Sequence, residues 1–167
     1  MIRLAVPDDA AVLDAFFRAL DAETRFMLYE AGERPSDVAI QRQRLEAMTA
    51  APNQAMWLLV QGLEVQGFAV LIGGGLARNR HCALVVMGLR RVARGQGQGE
   101  ALLRTLIEEA PHLGIHRLEL GVMADNQVAH ALYGKCGFVE EGRRRHAYRV
   151  GDEWVDEITM GLLLEVR

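Results

Sequence analysis

Apolar positions along the chain change their period several times, and each change marks an element. Ile2 to Val6 reads as a short strand. From Pro7-Asp8-Asp9 onward, Val12, Leu13, Phe16, Phe17 and Leu20 recur at helical spacing, with acidic residues in the first turn where the helix dipole favours them. Glu23 to Pro35 has no sustained period and reads as a loop or broken helix of the kind that shapes a pocket. Ser36 is placed to cap a second helix, with Val38, Ile40, Leu45 and Met48 as inward positions and Pro52-Asn53 as its end. Met56 to Gln61 and Val65 to Ile72 read as two strands, and Gly62-Leu63-Glu64 between them has hairpin length. Gly73 to Asn79 is a loop, and His81 to Leu89 is an apolar strand.

Glu100 to Ala110 is helical, because Leu102, Leu103, Leu106, Ile107 and Ala110 recur at three- and four-residue steps. Pro111 and Gly114 stop it. Ile115 to Met123 is a strand whose Leu118, Leu120 and Val122 share one face. Asp125-Asn126 caps a short helix to about Cys136, and Gly137 ends it. Phe138 to Arg149 and Trp154 to Leu164 close the chain as two strands joined at Gly151-Asp152. Strands and helices therefore alternate through one α/β unit, without internal repeat, low-complexity stretch or linker.

Length and charge narrow the possible functions. The 167 residues suffice for one domain with a full core. A net charge of −3 leaves no electrostatic footprint for nucleic acid, and the run Arg143-Arg144-Arg145 reads as a solvated strand edge. No apolar run reaches a membrane-spanning length, and Met1-Ile2-Arg3-Leu4 leads straight into a strand without a signal peptide. The expectation is a soluble cytoplasmic protein. Cys82 and Cys136, the two cysteines, read as small core residues rather than a disulfide scaffold. His112 and His116 straddle Pro111 and Gly114 with no third ligand nearby, so no metal site is expected.

The junction between the His81–Leu89 strand and the following helix carries glycine at three alternate positions, Gly95, Gly97 and Gly99, beside Arg94. A helix start offers unpaired N–H groups and positive potential, and glycines let a phosphate approach the backbone. Glycine is also the default residue of a tight turn, and the loop alone fits either reading. No Lys-Ser or Lys-Thr follows, which excludes the triphosphate loop, and Glu100 stands where a dinucleotide loop needs glycine. What remains is Arg-x-x-Gly-x-Gly at Arg94, Gly97 and Gly99.

Two blocks resemble the GNAT superfamily of acetyl-CoA-dependent N-acetyltransferases. Arg94-Gly95-Gln96-Gly97-Gln98-Gly99-Glu100-Ala101-Leu102-Leu103 is similar to that family's cofactor motif. Asn126 through Phe138 is similar to its N-x-x-A-x-x-x-Y-x-x-x-G-F block. Gly67-Phe68-Ala69 and the ending Gly151 through Met160 are also familiar from the fold, the latter from bacterial branches that acetylate small amines, amino acids and ribosomal proteins. The resemblance implies a single N-acetyltransferase domain over residues 1–167. Its α/β fold would be a central, mixed, mostly antiparallel sheet of about seven strands flanked by about four helices, with a splayed parallel strand pair at the cofactor site.

It further implies that acetyl-CoA is held by Met87, Gly88 and Leu89 on the strand, by Arg94, Gly95, Gln96, Gly97, Gln98, Gly99 and Glu100 in the turn, and by Asn126 and Tyr133. Asn126 and Tyr133 lie two helical turns apart and so share one face. The implied reaction is direct attack of a primary amine on the thioester, with the Leu89 backbone N–H as oxyanion donor and Tyr133 as the acid for the departing thiolate. Many relatives carry a glutamate on the strand before the glycine turn. Here that strand has no carboxylate, which leaves Glu119 on the neighbouring strand as the candidate base and His81 as a relay through water. Phe26, Tyr29, Glu30 and Glu33 are the expected acceptor contacts, the acceptor being a small-molecule amine, an amino acid or a protein N-terminus, and a homodimer is the default assembly. The missing strand carboxylate also suits a non-catalytic module that binds acyl-CoA.

Overall fold

The computed structural model describes residues 1–165 as one seven-stranded sheet in the order β1-β2-β3-β4-β5-β7-β6. The strands are β1 (Ile2–Leu4), β2 (Gln54–Gln61), β3 (Glu64–Gly73), β4 (Cys82–Leu89), β5 (Arg117–Met123), β6 (Val139–Val150) and β7 (Glu153–Leu163). Every neighbouring pair is antiparallel except β4 and β5. Four α-helices flank the sheet: α1 (Ala10–Glu23), α2 (Val38–Ala50), α3 (Gln98–Glu109) and α4 (Gln127–Lys135).

Each face of the sheet carries its own core. On one face Leu102, Leu103 and Leu106 of α3 and Tyr133 of α4 pack with Leu118, Leu120 and Val122 of β5. On the other, Leu13, Phe16, Phe17 and Leu20 of α1 pack with Leu45 of α2 and with Leu58, Phe68 and Val70. Phe68 receives the edges of Phe16 and Phe17 at centroid distances of 6.0 and 4.9 Å, an arrangement that suits the ring quadrupoles.

Several expected boundaries shift for physical reasons. Residues 7–9 form a separate 3-10 turn in which the Asp9 carboxylate takes the Val6 N–H and both terminal nitrogens of Arg3. Ser36 does not cap α2. Its hydroxyl donates to the buried Asp14 at 2.7 Å, and Asp37 instead accepts from the Ala39 and Ile40 N–H groups. Starting one residue later than read, α2 buries Leu45 and leaves Val38 and Ile40 in solvent, as Val12 is on α1. Among the described residues, no helix is long and apolar enough to cross a membrane.

Candidate functional site

The site begins where two strands part. β4 and β5 pair only over Cys82↔Arg117, Ala83↔Leu118 and Leu84↔Glu119. Beyond that point β4 stays on β3 as far as Gly67↔Leu89, and β5 stays on β7 as far as Met123↔Glu157. The parallel ladder therefore opens into a V while each arm keeps its outer partner. The Arg90 N–H donates to Gln66 of β3, and Cys82 O accepts from the Gly74 N–H, whereas His81 O accepts from the Arg117 N–H on the β5 side. Main-chain groups alternate in direction along a strand, and the β3–β4 register runs without a bulge. Met87 and Leu89, past the last bridge, thus turn their main-chain groups into the opening. Arg94 Nε donates to Leu89 O at 3.0 Å, which leaves the Leu89 N–H facing the gap.

Gly88 belongs to a different class from its neighbours. Its main chain faces β3, and a Cβ there would lie 2.8 Å from Leu20 Cδ2 and 3.2 Å from Phe68 Cε1. It is a close-packing glycine beneath α1 that lines the cavity described below while its main-chain groups pair with β3.

The glycine turn meets the open end of the V. Gly95 and Gly97 have φ of +73° and +75°, the left-handed region, and nothing lies within 4 Å of a Cβ built on either. Gly97 is the N-cap of α3 and has no side-chain cap, so the N–H groups of Gln98, Gly99 and Glu100 point out of the helix unsatisfied. Gly99 lies against Leu89 and Leu132, 3.5 Å from each at a built Cβ, and this seats the turn between β4 and α4. Gln96 and Gln98 bond locally, to Val92 O and to each other. The Glu100 carboxylate turns toward Lys135 and Arg104, which hold its pKa below the ordinary range.

Helix α4 closes the other side. Asn126 Oδ1 accepts from the Ala129 N–H at 3.3 Å as a helix cap, which leaves the amide NH₂ for the cleft. Tyr133 is buried against Phe138, at a centroid distance of 5.9 Å, and burial alone pushes its hydroxyl up to about 12. Leu89, Arg94, Asn126 and Tyr133 line one cavity of about 1140 Å³. The cavity passes through the V to the α1/α2 side, where Phe26, Tyr29 and Glu119 also line it.

Glu30 and Glu33 do not line that cavity. The Glu33 carboxylate accepts from the Glu30 N–H at 2.8 Å and closes the 30–33 turn on itself, so of the four expected acceptor contacts Phe26 and Tyr29 line the cavity and Glu30 and Glu33 do not. His81 stands at the closed end of β4, away from the opening. Cys136 is buried, which raises its thiol, while Cys82 is only part-buried beside His81. Glu119 occupies the last paired position of β5, half-exposed and 3.2 Å from Arg117 Nε.

Sequence reading misses the wall opposite α1, formed by Arg117, Glu141, Arg144, Tyr148 and Glu157. Glu157 is buried, accepts from Arg144 Nη1 at 2.8 Å and also accepts from the Tyr148 hydroxyl. A signal for its direction is present. Glu157, Thr159 and Gly161 alternate with Ile158, Met160 and Leu162, so Glu157 must face away from the α3/α4 core. Nothing in that alternation reveals its burial.

Known proteins share this arrangement. The family model for the acetyltransferase (GNAT) family matches residues 15–138. A [ribosomal protein bS18]-alanine N-acetyltransferase of Escherichia coli K12 is 45% identical over 67 residues, which are 40% of this chain and 45% of that protein. The match thus spans under half the length of that curated relative. A GNAT-family acetyltransferase structure from Streptococcus pneumoniae superposes with a TM-score of 0.95 at 29% identity, covering 99% of both chains. An acetyltransferase from Salmonella typhimurium, solved with its cofactor acetyl-CoA, has a TM-score of 0.87 at 21% identity, covering 99% of this chain and 94% of that one.

Proposed function

The chain belongs to the GNAT acetyltransferase family, and from that footing we propose that it is an N-acetyltransferase. It moves the acetyl group of acetyl-CoA to a primary amine of a small molecule, an amino acid or a protein N-terminus. The observation that carries this reading is the opened half of β4: a strand edge with free main-chain groups, running from a glycine cradle to a buried phenol inside one cavity.

The residues suit acetyl-CoA. Open space over Gly95 and Gly97 and the unsatisfied N–H groups at the start of α3 accommodate a pyrophosphate, with Arg94 beside it. Met87 and Leu89 offer a strand edge to the amide-bearing pantetheine arm, as a partner strand would. Bound there, acetyl-CoA supplies an activated acyl thioester. The Leu89 N–H is fixed in direction by the ladder on its other side, so it can donate to a developing negative charge without reorganising. The Asn126 amide is oriented by its capping bond. Tyr133 holds its proton at neutral pH and can donate a hydrogen bond to a departing sulfur. Glu119, at the fork on the acceptor side, is a carboxylate from which a proton can pass to solvent.

Thiol release from acetyl-CoA, measured over a panel of primary amines, tests the proposal. The expected result is amine-dependent release with at least one acceptor. Tight acetyl-CoA binding without turnover on any amine would replace it with the non-catalytic module.

A further inference from the structure

Glu157 stands at the fork of the V, and nothing in the reaction as described above uses it. Gly121 of β5 lies two residues past the last β4–β5 pair, Leu84↔Glu119. A Cβ built on Gly121 would fall 2.5 Å from the Glu157 carboxylate. The carboxylate therefore lies flat on β5 where the strands separate, and only glycine at 121 leaves room for it. Leu118, Leu120 and Val122 point into the α3/α4 core, so Gly121 and the carboxylate face the acceptor side. Arg144, paired directly with Glu157, and Tyr148, beyond a bulge at 145–147, hold one oxygen each.

The same wall repeats the device. A Cβ on Gly161 would meet the Glu141 carboxylate at 2.6 Å, and Glu141 pairs with Arg117, which also bonds Glu119. Three carboxylates thus face two guanidiniums on this wall, one negative charge in excess. The facing wall is mostly apolar: Ile72 and Leu84 are 40% and 43% exposed, with Val70, Val86 and Met48 beside them, and α2 adds Gln41 and Arg44.

Resting on the acetyltransferase reading, the geometry points to Glu157 as the residue that binds the acceptor's ammonium group over Gly121, with the apolar body of the acceptor against Ile72 and Leu84. The acceptor class is a singly charged primary amine with an aliphatic or aromatic neighbour. A second cation on the acceptor would meet the apolar wall and the Arg44 guanidinium, which repels it. Glu157 lies beyond the family-matched segment, so this contact is a feature of the closing hairpin of this chain.

Thiol release is measured with phenethylamine, isoleucinamide and putrescine. The wild type is expected to prefer the two apolar monoamines. Glu157→Gln can still accept from Arg144 through its amide oxygen while its amide nitrogen donates to the Tyr148 hydroxyl oxygen, so the side chain stays bonded but loses the charge. It should raise KM for the better monoamine by about 10- to 100-fold, the scale of a charge-assisted hydrogen bond. Calorimetric affinity for acetyl-CoA and the melting temperature should stay at wild-type values, which a merely structural role would not allow. Gly121→Ala displaces the carboxylate without removing it and should raise the same KM, which keeps the test decisive if the Gln variant misfolds. A wild-type KM in either folded variant, a larger KM effect from Glu119→Gln, or a preference for putrescine would overturn the assignment. Acetyl-CoA binding with no turnover on any amine would instead overturn the acetyltransferase reading beneath it.

Discussion

Tyr133→Phe removes one oxygen from a buried side chain and leaves its packing on Phe138 intact. With its pKa pushed up to about 12 by burial, the Tyr133 hydroxyl is a weak acid. An alkyl thiol has a pKa near about 8.5, so full proton transfer from Tyr133 to a departing thiolate is uphill by roughly 3.5 decades, or about 5 kcal/mol. A hydrogen bond that strengthens as charge builds on sulfur carries no such penalty. The loss on removing it should therefore fall at the low end of acid catalysis, about 100-fold in kcat, with KM for acetyl-CoA within about threefold. Steady-state kinetics with a saturating amine reads both. A kcat within about twofold of wild type would remove Tyr133 from the chemistry, and a loss near 10,000-fold would refute the hydrogen-bonding account in favour of complete proton transfer.

The same variant gives an independent stability readout. The folded-state pKa lies above that of a free phenol, near 10, so burial favours the protonated form. The stabilisation linked to this group is whole below pH ~10 and is lost as pH rises through about 12. Two decades at 1.36 kcal/mol each make the wild type lose about 3 kcal/mol more than Tyr133→Phe over that window. Tyr148, also raised to about 12, is common to both proteins and cancels. About 2 kcal/mol of it falls between pH 9 and pH 11.5, where urea unfolding measures the difference, and parallel curves would refute the burial.

Three further perturbations separate the roles of nearby groups. Gly97→Glu places a side chain on a left-handed residue and a negative charge in the cradle, so acetyl-CoA binding should vanish in a calorimetric titration; normal affinity would count against the turn as the phosphate site. Gly88→Ala has no φ strain but drives a methyl onto Leu20 and Phe68, and should cost about 1–3 kcal/mol in chemical denaturation; an unchanged midpoint would mean α1 can move aside. Arg34→Ala strips the buried Asp21 of bonds at 2.7 and 3.0 Å and takes the guanidinium from between Phe17 and Tyr29. A loss of about 3 kcal/mol is expected, with faster proteolysis of the 24–35 segment, and wild-type resistance would show that segment held by other contacts.

Local rules made most of this molecule legible. Period-two and period-3.6 patterns, apolar runs and capping residues mark the strands and α-helices, and the glycine turn stands out because three glycines interrupt an otherwise regular junction. Misplaced details are those decided at a distance. Ser36 looks like a cap until Asp14, 22 residues earlier in the chain, takes its hydroxyl. Gly88 looks like its neighbours Met87 and Leu89 until its main chain is seen to pair with β3 beneath α1. Glu30 and Glu33 look like residues of the cavity wall until one is seen to close the other's turn. The acceptor wall was illegible for the same reason: its five polar residues come from three strands, and a register bulge at 145–147 decides that Tyr148 reaches Glu157.

The opening in the sheet and the buried carboxylate explain one another. Unpaired peptide groups out of water cost about 1–3 kcal/mol each, so β4 and β5 would gain by continuing their ladder past Leu84↔Glu119. Continuing it sets Val86 beside Gly121, where the Glu157 carboxylate lies. Closure would then press an isopropyl group onto a side chain already held by Arg144 and Tyr148. The fork thus stands open where the glycine accommodates this side chain, a matter of volume that Glu157→Gln leaves unchanged. The unpaired edge of β4 and the buried Glu157 side chain thus meet at one place in the sheet, beside the glycine of β5 that leaves room for that side chain.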